Sequence, residues 1–127
     1  MIDYLLKFPS KAVAEQFGVA NGFAHVDEES GVIVSSLASY QHALYEIGEH
    51  FKPTGEIVSG DFGDSQVVAG DGNYWVLFRD LVGIPIPEGG NQFIVWSSTM
   101  TVMDDAGSEI SLPRPEFNPD IPNAFWA

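Results

Sequence analysis

The chain has 127 residues and a formal net charge of −13, from 18 Asp+Glu against 5 Lys+Arg. It is also 45% hydrophobic with three Trp, so it has the apolar surface that acidic disordered chains lack and is expected to fold as one ordinary domain. The charge argues against nucleic acid and anionic lipid as partners, and the lack of Cys excludes disulfides, thiolate zinc sites and cysteine nucleophiles.

Taken in chain order, residues 2–8 form a short apolar segment that predicts a strand. Ser10 is a natural N-cap, and residues 11–17 fit a short helix closed by Gly18, with Val13 and Phe17 on one face. Residues 23–26 and 32–34 flank Asp27-Glu28-Glu29-Ser30-Gly31, which reads as a hairpin with Gly31 at positive φ. Leu37, Tyr40, Leu44, Ile47 and Phe51 are spaced 3, 4, 3 and 4 apart and predict a second helix, interrupted at Gly48. Lys52-Pro53-Thr54-Gly55 is a break. Residues 56–73 are Gly-rich and predict an irregular loop with an edge strand at 66–68. Residues 74–78 and 92–96 predict strands, the second continuing through 100–103, and Asp104-Asp105-Ala106-Gly107 is a turn.

This order predicts an α+β fold with a mainly antiparallel sheet and two short helices in the N-terminal half. The first half fits most of a split β-α-β unit of ferredoxin-like type. Residues 1–112 make the domain. Residues 113–127 carry four of the eight prolines (Pro113, Pro115, Pro119 and Pro122) and predict an extended arm, because proline removes a donor and blocks helix and central strand. Its large residues, Phe117, Ile121, Phe125 and Trp126, need a surface to cover. They are the candidate interaction residues.

No catalytic set is legible. His42, Glu46 and His50 would share one helix face and resemble a divalent-metal set, but the simpler reading is the solvated side of that helix. Asp61, Asp64, Asp71 and Asn73 offer oxygen ligands in a Gly-rich loop without EF-hand spacing, and turn formation accounts for them. His25, His42 and His50 are the only usual bases, and none sits in a nucleophile motif. Tyr74-Trp75 and residues 93–96 read as core before they read as a ligand surface. No metal or cofactor is expected. The start of the chain lacks a basic, then apolar, leader, and no stretch approaches a membrane span.

The ending Phe117-Asn118-Pro119-Asp120-Ile121-Pro122-Asn123-Ala124-Phe125-Trp126-Ala127 resembles that of many small tailed-bacteriophage proteins. Such chains often carry an upstream stretch like Ile47-Gly48-Glu49-His50-Phe51-Lys52-Pro53-Thr54-Gly55, then a strand like Tyr74-Trp75-Val76-Leu77-Phe78-Arg79. This chain lacks the basic residues that such tails usually have between the prolines and the aromatic. The resemblance implies a phage origin and no defined activity. The resulting expectation is a non-enzymatic protein of the virion or host cytoplasm whose partners are other protein subunits. One alternative is an inhibitor that presents acids in place of phosphates to a host nucleic-acid-binding protein. Another is a small ligand-binding domain or enzyme.

Overall fold

The computed structural model describes residues 1–83, 91–113 and 120–122. Within them the elements are β1 (Ile2–Phe8), α1 (Lys11–Asn21), β2 (Ala24–Val26), β3 (Ile33–Ser35), β4 (His42–Gly48), β5 (Phe51–Gly60), β6 (Gly63–Gly70), β7 (Tyr74–Asp80), β8 (Ile94–Ser97), β9 (Thr101–Met103) and β10 (Glu109–Ser111). A 3₁₀ turn, Asn91–Phe93, leads into β8.

Strands β4, β7, β1 and β8 lie in that order in one sheet, and each neighbouring pair is antiparallel. Strands β1 and β4 therefore run parallel with β7 inserted between them, and α1 lies on the path from one to the other. This is a split β-α-β arrangement, but its second parallel strand is β4, in the segment expected to be helical, and the strand between comes from the second half of the chain.

Alternation along the central strands gives the sheet two apolar faces. Ile2, Tyr4, Leu6 and Phe8 of β1 join Phe23, Leu44, Val76 and Phe78 on one face, closed by Val13, Ala14 and Phe17 of α1. Leu5, Trp75, Leu77 and Trp96 form the other, with Ile47, Val95, Leu112 and Ile121 packed around them. Because both faces are covered, β1 and β7 read as nearly continuous apolar runs.

Helix α1 starts where expected. Ser10 is extended, and its Oγ accepts from the Val13 amide at 3.2 Å. The helix does not stop at Gly18 but runs to Asn21 and closes on Gly22, at φ 86°. Gly18 serves close approach instead: a Cβ there would lie 2.9 Å from the Ala24 Cβ. The hairpin at 27–31 also forms as expected, with Gly31 at φ 72° and the Asp27 carboxylate accepting from the Glu29 and Ser30 amides. Those bonds, the Ser30 one foremost, hold the Asp27 carboxyl below its usual range.

Residues 37–51 are not a helix. Residues 42–48 form edge strand β4, pairing with β7 from His42↔Asp80 to Gly48↔Trp75, with a register shift between Glu46 and Gly48. The helical spacing is accidental: Leu37 and Tyr40 lie exposed before the strand, Leu44 and Ile47 pack on opposite sheet faces, and Phe51 begins β5. Pairing along β7 outweighs a local pattern that already contained Gly48.

Residues 56–73 are not an irregular loop either. Strands β5 and β6 form one long hairpin through most of that stretch. In the second half, the chain turns at Ser97–Met100, where the Met100 amide donates to the Ser97 carbonyl. Residues 101–103 then form a separate strand paired with β10, which was not expected. Strands β9 and β10 meet across the anticipated turn, where Asp104 accepts from the Ala106 and Ser108 amides.

Candidate protein-interaction site

The β5–β6 hairpin is the longest exposed part of the described fold. Ten residues of β5 at ~3.4 Å each span roughly 34 Å. Every residue of β5 and β6 is exposed except Val67, which is half-buried. The hairpin exists because Ile57, Val58, Val67 and Val68 suit extended backbone, and because Gly63, at φ 112°, closes the turn Gly60-Asp61-Phe62-Gly63. Thr54 Oγ1 donates to the Val67 carbonyl across the register shift, and Ser59 Oγ donates to Asp64 at 2.9 Å near the tip.

The register sorts the side chains. Gly70, Val68, Gln66 and Asp64 are alternate residues of β6 and share a face. Their partners Phe51, Pro53, Ile57 and Ser59 therefore share it too. Phe51, Pro53, Ile57 and Val68 make an apolar stripe along that face. At the tip the Phe62 ring is fully exposed. Glu56, Asp61 and Asp64, all exposed, are the charged residues from 54 to 67.

The base of the hairpin is clasped to the domain. The Asp71 amide donates to the His50 carbonyl at 2.9 Å, and Glu49 Oε1 accepts from the Gly72 amide. Asp71 Oδ2 accepts from the indole N–H of Trp75 at 2.7 Å, while Oδ1 accepts from the Asn73 amide. Lys52 Nζ pairs with Asp120. Lys7 Nζ lies 5.6 Å from the Trp75 ring centroid, and the His50 ring meets that indole edge-on.

Burial raises the Asp71 pKa, but its hydrogen bonds with Asn73 and Trp75 outweigh that and leave the carboxyl below its usual range. A depressed carboxyl stabilises the fold above its unfolded pKa, near 3.8, and loses that contribution as pH falls through the lower folded value. Asp71→Asn is therefore expected to cost about 1–3 kcal/mol at neutral pH. Urea titrations of both proteins down to about pH 2 should show the difference shrinking below about pH 4. A pH-independent difference would mean that the Asp71 charge is not what the clasp uses.

The remaining candidates scatter. His42 is buried in the sheet, stacked on Phe78, with Nε2 donating to the Ser36 carbonyl at 2.8 Å and Nδ1 accepting from Ser39 Oγ. Glu46 accepts from Ser35 Oγ and lies beside Tyr74, whose hydroxyl is pushed up to about 12 by burial first and then by the Glu46 charge. His50 sits at the hairpin base and His25 on β2, so the three histidines do not converge. Asp61 and Asp64 are at the hairpin tip, whereas Asp71 and Asn73 are at its base. Among the described residues no three His, Asp or Glu gather as metal ligands would. A cavity under α1, between Phe8, Gly18 and Leu44, has room for about one water at most. No described helix is long and apolar enough to cross a membrane.

Of the arm residues, Ile121 packs half-buried against the Leu5–Trp75–Leu77–Trp96 cluster of its own chain, next to buried Pro122. Phe117, Phe125 and Trp126 lie outside the described residues. The hairpin itself was not legible in the sequence, which reads there as loop. The available signal was the run of β-branched residues on both sides of Gly60-Asp61-Phe62-Gly63. No protein-family model, curated protein or solved structure matches the chain.

Proposed function

We propose that this is a non-enzymatic protein that works through protein–protein contact, with the β5–β6 hairpin as its docking arm. The setting we propose is the one implied by the C-terminal resemblance, a component of a phage virion or of its assembly. The observation that supports the reading is a long hairpin bearing an apolar stripe and an exposed Phe62 outside both core clusters. An isolated two-stranded hairpin is only marginally stable in water. Contiguous exposed apolar surface is a feature of interaction sites in folded proteins. Covering the hairpin with a partner would answer both problems.

Excising the arm tests this. Pro53 and Val68 pair directly, so replacing residues 54–67 with Asn-Gly closes a shorter hairpin. The excised residues contribute no side chain to either core cluster. The thermal midpoint by calorimetry is therefore expected to stay within about 3 °C, a shift worth less than about 1 kcal/mol. Co-sedimentation with assembled particles should be lost. Unimpaired co-sedimentation of the excised protein would sink the reading.

A further inference from the structure

We infer that the surface receiving the hairpin tip belongs to a different chain, and that it is an apolar slot rimmed by Arg or Lys. The inference rests on the reading of the hairpin as a docking arm, and it names the partner's chemistry.

The tip combines two demands. Phe62 is fully exposed at the end of the arm, so docking gains most by burying that ring. The ring cannot enter a surface without bringing Asp61 beside it, with Asp64 close behind on β6 and Glu56 farther back, at the register shift of β5. Carboxylates taken out of water without partners are costly. A receiving surface must therefore supply cations around the slot, and Arg fits best because its guanidinium is weakly hydrated and binds carboxylate with two donors.

The described bases of a second copy of this chain do not offer such a rim. Among the described residues, Lys11 pairs with Glu15, Lys52 with Asp120, and Arg79 holds Asp3 through two bonds of 2.6 and 2.9 Å. Lys7 lies over the Trp75 ring. The fifth base, Arg114, is outside the described residues. Two copies at −13 each also repel as they approach. A basic partner is instead drawn in by the same field.

The test uses the full-length protein and a surface-displayed library of random peptides about twelve residues long. The library is selected on the native protein at about 150 mM salt. It is counter-selected on Phe62→Ser, which retains every charge and so removes peptides that merely follow net charge. The surviving peptides should pair Arg or Lys with an aromatic or aliphatic residue. They should bind the native protein at least about tenfold more tightly than the triple variant Glu56→Gln/Asp61→Asn/Asp64→Asn, and weaken as salt is raised. Survivors without a basic excess, equal binding to the triple variant, or no survivors would overturn the inference. So would sedimentation showing native oligomers that Phe62→Ser disperses, since the partner would then be a second copy. Each of these leaves the docking-arm reading standing if excision of 54–67 still abolishes co-sedimentation. Unimpaired co-sedimentation after excision would remove that reading itself.

Discussion

Trp75→Ala is expected to cost about 3–5 kcal/mol, a large part of the roughly 5–15 kcal/mol that holds a domain of this size together. The indole is 1% exposed, on an inner strand of the sheet, and three separate structures meet on it. It is the more deeply buried of the two tryptophans in the second core cluster. Its N–H satisfies Asp71 at the hairpin base. Lys7 and His50 lie against the ring. Alanine would leave a cavity, and it would leave the Asp71 carboxylate without its indole donor. Trp75→Phe separates these effects: most of the ring remains and only the donor is lost, so about 1–3 kcal/mol is expected. Urea unfolding followed by circular dichroism reads both values. A cost below about 1 kcal/mol for Trp75→Ala would show that the second face of the sheet is not a core.

Truncation after Leu112 is expected to cost about 2–3 kcal/mol through the described residues of the arm alone. Ile121 covers the cluster on which Trp75 sits, and Pro122 is buried beside it. Removing them returns apolar surface of that cluster to water. It also removes Asp120, whose carboxyl is held low chiefly by its bond with Lys52. That pair is exposed at both ends and adds little by itself. A second variant, Ile121→Ala in the full chain, should carry about half of the loss. If protease trims the native protein back to about Leu112 and the urea midpoint does not move, the arm is an ordinary tail and the packing of Ile121 contributes nothing.

The two predictions meet at one place, and the reason was only partly legible in the sequence. Trp75 reads as core from the run Tyr74-Trp75-Val76-Leu77-Phe78, which is too apolar for a strand with a wet face. Ile121 reads as a residue needing cover because it stands among prolines in a segment that cannot make a helix. That the two belong to one cluster is invisible in one dimension, since 46 positions separate them. The same holds for Asp71. As a letter among glycines it resembles a turn residue or a calcium ligand, and only its position against Trp75 makes it the clasp of an arm.

Some features followed from local chemistry alone. Strand β1, the Ser10 cap, the 27–31 and 104–107 turns, strand β7 and the net charge each depend on residues a few positions apart, or on none at all. Two segments did not. Leu37 to Phe51 has helical spacing, yet His42 to Gly48 is a strand, because β7 offers a full ladder of hydrogen bonds and two faces for its side chains. Residues 56–73 look like loop because glycine and acid dominate the composition, but β5 and β6 supply each other's hydrogen bonds. Periodicity records which residues are apolar and how far apart they stand. It does not record which distant strand will complete the backbone hydrogen bonds, and here that pairing decided both the edge of the sheet and the arm that stands clear of it.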